Sequence, residues 1–306
     1  MSISRLRRAT VLCGGTLISA CTGAPSTTIP PNGKLDTPVA TAPHGVAFQL
    51  VRNATIKLGF AGTEFLIDPM LASRGAYPGF KGTKRSELRF PLVDLPIPVN
   101  EILDADAVIL THLHEDHWDS AGRELVPRNL PIFVQNDADA AKVRDDGFTD
   151  VRVLGEDGGE LDDVRLYRAG GQHGTEAMYS VAQLGELLGE TMGVVFQHRD
   201  HGTVYVAGDT IWNREVEDAV SRYRPDIAVL NAGYAQLTGF DGSITMGTDD
   251  LLHAVEAMPE AKLVAVHMDT VNHAVLSRAA LRAFIAERGL ASERVLVPED
   301  GQRYAF

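Results

Sequence analysis

The nine residues THLHEDHWD (111–119) follow directly on the apolar run AVIL (107–110), and their reading decides the fold. Three histidines and two acids fall between positions 112 and 117. In an extended segment, residues two apart point the same way, so His112 and His114 converge as the strand ends. A turn into a helix, for which Asp119 and Ser120 are suitable first residues, would swing Asp116 and His117 back to the same point. Four ligand-type side chains then gather at one strand-end loop. Imidazole with carboxylate suits zinc, iron or manganese. The blander reading is a polar loop with surface histidines, which leaves the pattern HxHxDH after a buried strand unexplained.

Working outward, short β-rich runs precede and follow this loop. VAFQLV (46–51), ATIKLG (54–59) and EFLID (64–68) are separated by turn residues, and a long Pro- and Gly-containing loop covers about 69–100. Further strands are predicted at 131–135, 151–154, 163–169, 192–197 and 203–209. Helical patterns then alternate with strands: 213–223 before 226–230, 248–258 before 262–266, and 277–289 before 294–297. Thr248 is the predicted N-cap of the second of these helices. Strand-rich stretches in both halves, each followed by helices, predict an α/β (α+β) four-layer αββα sandwich.

The chain has 306 residues, 44% of them hydrophobic, enough for a sizeable core. Its start differs from the rest. MSISRLRR (1–8) is basic, ATVLCGGTLISA (9–20) is short and mostly apolar, and LISAC (17–21) ends on a cysteine. Residues 1–20 are expected to be a lipoprotein-type signal peptide, with cleavage leaving a lipidated Cys21 that anchors an exported protein to the envelope membrane. Residues 21–43, rich in Pro, Thr and Ala, are expected to be a tether, and the folded domain to run from 44 to 306. The two cysteines, Cys13 and Cys21, both lie in this opening segment, so a metal in the body must be held by His and carboxylate. Loss of the three leader arginines would take the formal net charge from −13 to −16. Such a surface repels nucleic acid and leaves a small-molecule or lipid-like substrate as the expected partner.

THLHEDHWD resembles the HxHxDH motif of the metallo-β-lactamase superfamily. EFLIDPML (64–71), GGQHG (170–174), VYVAGDT (204–210) and VAVHMD (264–269) resemble its other motifs in order and rough spacing. The series is similar to the branch containing ascorbate-phosphate lactonase and N-acyl phosphatidylethanolamine phospholipase D-type hydrolases. The resemblance implies two divalent cations, zinc foremost, with manganese or iron as alternatives. It places His112, His114 and His173 on the first, Asp116, His117 and His267 on the second, Asp209 between them, and Asp68 behind as an orienting group. Taken singly, His173 could mark a plain turn, Asp209 a cap and His267 a satisfied core histidine.

The activity implied is hydrolysis of an ester, lactone or phosphodiester by a hydroxide activated between the two cations. Asp116 would also orient the nucleophile. His273, six residues after His267, is a candidate substrate contact or proton donor. His44, His198, His201 and His253 are left outside the site. Iron-dependent oxidoreductase of the dioxygenase type is the competing enzymatic class, and a non-catalytic metal-binding surface lipoprotein the competing binding class. A β-lactamase proper is a weaker variant, because the thiolate ligand is missing. The run GFKGTKRSELRF (79–90) carries Lys81, Lys84, Arg85 and Arg89. It reads chiefly as a solvated loop, or else as a lid for an anionic head group.

Overall fold

The computed structural model describes residues 45–155 and 157–306. The leader, Cys21, the tether and His44 lie outside the described residues. The first sheet holds β1 (Val46–Arg52), β2 (Thr55–Phe60), β3 (Thr63–Ile67), β4 (Ala107–Ile109), β5 (Ile132–Val134) and β6 (Val151–Val153). The second holds β7 (Gly159–Leu161), β8 (Val164–Gly171), β9 (Thr191–His198), β10 (Gly202–Val206), β11 (Ile227–Asn231), β12 (Lys262–Val266) and β13 (Val295–Leu296). β14 (Arg303–Ala305) returns to the first sheet beside β1, giving the orders β14-β1-β2-β3-β4-β5-β6 and β13-β12-β11-β10-β9-β8-β7.

The helices are α1 (Val99–Ile102), α2 (Ser120–Leu125), α3 (Asp137–Asp145), α4 (Glu176–Tyr179), α5 (Ala182–Leu188), α6 (Arg214–Tyr223), α7 (Thr248–Ala257) and α8 (Arg278–Glu287). α2 opens as expected, with Asp119 as N-cap accepting from Gly122 N at 2.6 Å. In α7 the N-cap is Gly247 and not Thr248, because Asp250 reaches back to accept from Gly247 N at 2.8 Å. α3, α4 and α5 were not foreseen.

Period-2 side-chain alternation sorts the apolar runs into layers. Ile109, Phe65 and Ile67 of the first sheet pack against Val194, Phe196, Val206, Val229 and Val264 of the second. Val195, Ala228, Leu230 and Leu263, from the opposite face, pack against Val216, Val220, Leu251 and Leu281 of α6, α7 and α8. Val108, Leu110 and Val134 pack outward against Ile102, Ala140 and Val143 of α1 and α3. These are the four layers expected, and they explain the apolar runs 107–110, 227–230 and 263–266 in and beside β4, β11 and β12: both faces are covered.

β3, β4, β5 and β6 run parallel, as do β10, β11, β12 and β13. β8 is antiparallel to β9, which is antiparallel to β10, so β8 points the same way as β10. Residues that follow β8, β10 and β12 therefore leave the second sheet at one end, and those that follow β3 and β4 leave the first sheet together.

Candidate metal centre

Asp68 follows β3, the 111–117 loop follows β4, His173 follows β8, Asp209 follows β10 and His267 follows β12. One donor atom from each of His112, His114 and His173 lies within 4.8 Å of the others. The same holds for Asp116, His117, Asp209 and His267. Asp209 touches both groups: its Oδ2 lies 3.7 Å from His173 Nε2 and 3.2 Å from His117 Nε2, and its Oδ1 lies 3.6 Å from His267 Nε2. The structure thus gathers every residue singled out from the motifs, and it sorts them into the same two sets.

His112, His114, His117 and His173 each have the outer nitrogen occupied, which decides the nitrogen left facing inward, whereas the outer Nδ1 of His267 has no hydrogen-bond partner. His114 Nε2 bonds Leu187 O at 2.9 Å, His173 Nδ1 bonds Ile244 O at 2.7 Å, and His117 Nδ1 bonds Asp68 Oδ2 at 2.8 Å. His112 Nδ1 lies 3.2 Å from Thr111 Oγ1, which itself donates to Asp68 Oδ2 at 2.6 Å. Asp68 also accepts from Thr111 N at 2.8 Å. A single buried carboxylate thereby orients His117 directly and His112 through Thr111. Asp68→Asn keeps the shape but turns a donor toward groups that already donate. A loss of about 10–100-fold in activity, with the fold retained, is expected. Turnover and metal content measured side by side check it.

The donor set fits cations on the structure's own terms. His117 Nε2 and His267 Nε2 face each other at 3.2 Å, and His112 Nε2 and His114 Nδ1 at 3.0 Å. Asp116 Oδ2 is buried with no hydrogen-bond partner. Asp68, Asp116 and Asp209 are each at most 3% exposed, and histidines are their only ion-pair partners among the described residues. Burial would lower the affinity of His117 for a proton, yet Asp209, Asp68 and Asp116 raise it well above the ordinary value. Burial would raise Asp209, but His117 and His267 hold it well below the usual carboxylate range. His173 is pushed down to about 4 and His112 well below its ordinary value, both chiefly by burial. His112 and His173, held neutral, and Asp209, held charged, are already in the protonation states a divalent cation requires, and a cation would displace the proton that the carboxylates hold on His117.

Backbone geometry serves the same end. Asp68 and His267 hold φ of 46° and 65°, sparsely populated for non-glycine residues. His267 N donates to Asn53 O at 3.0 Å, while Asn53 Nδ2 donates to Asp116 O at 2.9 Å, so one buried turn residue ties two motif loops. A Cβ on Gly233 would overlap the carbonyl oxygen of His267. Gly233→Ala is expected to cost about 1–3 kcal/mol and to displace His267, read as a lower Tm with weakened metal retention.

Asn53, Thr111 and Asn231 were missed in the sequence. Asn231 Nδ2 donates to Asp209 Oδ1 at 2.7 Å. The signal existed for two of them: Thr111 and Asn231 are polar residues ending apolar strands, as Asp68, Asp209 and His267 are. His273 is 5% exposed and its Nδ1 has no hydrogen-bond partner. Burial pushes it down to about 4, which suits a neutral substrate contact better than a proton donor. His198 and His201 belong to the β9–β10 hairpin, as expected. Lys81, Lys84, Arg85 and Arg89 of the 79–90 run are exposed, in keeping with a solvated loop, but the guanidinium groups of Arg85 and Arg89 also donate to main-chain carbonyls of residues 272, 274, 75 and 76.

A cleft of about 660 Å³ opens beside His112 and His114. Asp137, Asp139, Glu186 and Glu190 line it, against a single cation, Lys142, among its lining residues.

A four-layer sandwich carrying this His/Asp cluster at its strand ends defines a metal-dependent hydrolase of metallo-β-lactamase fold. A family profile described as "Beta-lactamase superfamily domain" matches residues 63–268. UPF0173 protein YddR of Bacillus subtilis is 44% identical over 257 residues, covering 84% of this chain and 98% of that protein. The chain belongs to the UPF0173 family of metal-dependent hydrolases in the β-lactamase superfamily. The crystal structure of a possible metal-dependent hydrolase from Veillonella parvula is 46% identical, with TM-score 0.83, covering 85% of this chain and 99% of that one. The crystal structure of an isothiocyanate hydrolase from Delia radicum gut bacteria is 45% identical, with TM-score 0.82 and the same coverage.

Proposed function

We propose that this chain hydrolyses a small, neutral electrophile, an organic isothiocyanate, at a centre of two divalent cations, with zinc foremost. The observation that carries a two-cation centre is Asp209 reaching both donor sets. Similarity to an isothiocyanate hydrolase supports the substrate class. The acidic lining of the cleft supports a neutral substrate over the anionic phosphodiester, which four carboxylates would repel. A neutral ester or lactone is the second reading, because the same cleft admits it.

His112, His114 and His173 would hold one cation, and Asp116, His117 and His267 the other, with Asp209 between. When bound, the cations would supply Lewis acidity that lowers the pKa of a water toward about 7 and offsets negative charge developing on the substrate. Asp116, whose buried Oδ2 takes no hydrogen bond and lies 3.4 Å from His267 Nε2, would orient the attacking water. Water adds to the central carbon of R–N=C=S, forming a C–O bond and placing a proton on nitrogen. Transfer of the remaining O–H proton to nitrogen, with cleavage of the C–N bond, then yields R–NH₂ and carbonyl sulfide. One water is consumed, and no oxidant or reductant is needed. His273, held neutral, hydrogen-bonds the substrate.

The test is turnover of phenyl isothiocyanate, an aryl ester, a lactone and a phosphodiester by metal-analysed protein. Amine release from the isothiocyanate is expected to dominate. Faster lactone or ester turnover would replace the substrate class with the second reading. Export with a lipidated Cys21 is proposed from the leader sequence, and a Cys21→Ala variant that still fractionates with membranes would refute it.

A further inference from the structure

We infer that Arg85 is a positioning residue for His273, acting through the main chain on both sides of it. The inference rests on the substrate-contact role proposed above for His273.

The imidazole of His273 is buried, yet its Nδ1 takes no hydrogen bond within the protein. Something other than a partner at that nitrogen must hold the ring. Arg85 Nε donates to Asn272 O at 2.7 Å, and the same guanidinium donates to Ala274 O. One planar fork thus grips the carbonyls immediately before and after His273. Asn272, fully buried, grips back: its Oδ1 accepts from Phe80 N at 3.1 Å, and its Nδ2 donates to Thr83 Oγ1 and Lys84 O, each at 2.9 Å. His273 O is itself engaged by Gln236 N at 3.1 Å.

The strap also delivers a ring. Phe80 meets His273 edge-on, with centroids 4.9 Å apart at 77°, and stacks on Phe90 at 4.6 Å and 17°. Arg85 sits at φ 52°, a conformation a non-glycine residue keeps only where its surroundings impose it. The basic character of 79–90 therefore has a use at Arg85 that charge alone does not reveal. It fixes the path of the 272–274 main chain, and with it the placement of the buried His273 ring. Misplacement of a substrate-contacting group by about 1 Å can cost about 10²-fold, so release of this grip has a kinetic signature.

The experiment compares the full chain with Arg85→Ala, Arg85→Lys, His273→Ala and Arg85→Ala/His273→Ala. kcat/KM is measured for phenyl isothiocyanate and for p-nitrophenyl acetate, with metal content and Tm alongside. Ring ¹⁵N NMR signals of His273 in the metal-loaded protein give a readout that does not depend on turnover. Arg85→Ala is expected to lower kcat/KM about tenfold or more at unchanged metal content, to broaden the His273 ring signals while sparing those of His112, and to add nothing further in the His273→Ala background. Arg85→Lys, with a single donor group, is expected to fall between wild type and Arg85→Ala, and it serves in place of Arg85→Ala if the latter does not fold. Equal losses from Arg85→Ala in both backgrounds, or unshifted His273 signals, would overturn the inference while leaving the role of His273 intact. A silent His273→Ala variant would overturn both.

Discussion

Asp209→Ala is expected to abolish hydrolysis, with a loss of more than about 10³-fold, and to lower bound metal from two ions per chain to one or none. Among the described residues, Asp209 is the one carboxylate within 4 Å of donors from both sets, through His173 Nε2 on one side and His117 and His267 Nε2 on the other. Lewis-acid stabilisation is worth several kcal/mol, and each 1.36 kcal/mol is a factor of about ten in rate, which sets the scale of the loss. Asn231 Nδ2 would lose its acceptor and leave a second buried polar group unpaired. Asp209→Asn, which keeps size and removes charge, is expected to be nearly as inactive. Elemental analysis of the purified variants decides the matter. Undiminished metal stoichiometry in both would remove Asp209 from the centre and with it the two-cation mechanism.

The second large effect is on stability. Exhaustive chelation is expected to lower Tm by roughly 8–16 °C, and zinc or manganese to restore it. The stripped cluster keeps Asp68, Asp116 and Asp209 buried, with histidines alone as ion-pair partners among the described residues. A cation present at about a thousand times its Kd stabilises the folded state by about 4 kcal/mol, and a domain of this size shifts by roughly 2–4 °C per kcal/mol. Calorimetry with and without chelator measures the shift. The control is Asp209→Ala, whose Tm should respond far less. An unchanged Tm for the wild-type chain would mean that no cation is linked to folding at this cluster.

Much of the architecture was legible before any coordinates. β4, β11 and β12 declare themselves through the apolar runs in and beside them because both faces are buried, and α6, α7 and α8 show the spacing of one-sided helices. α3 escaped notice because DADAAKVRD buries only Asp139, Ala140 and Val143 and is otherwise polar. α4 and α5 escaped because tertiary contacts hold them: Tyr179 donates to Gly189 O and accepts from His173 N. Long-range hydrogen bonds carry no local pattern. Arg85 shows this most clearly, since the composition of 79–90 suggests solvation or anion binding and the carbonyls that Arg85 grips lie nearly two hundred positions away.

By itself, the sequence determined the chemistry available at this centre. Thiolates are absent from the body, imidazoles and carboxylates end successive strands, and their order along the chain follows a recognisable series. Only the tertiary structure decided which nitrogen each histidine turns inward, that Asp68 governs two of them through Thr111, and that Arg85 grips the main chain around His273. Side-chain type is a local property of the chain. Hydrogen-bond partnership depends on segments remote in sequence meeting at distances near 3 Å, and that exists only once the two sheets have packed.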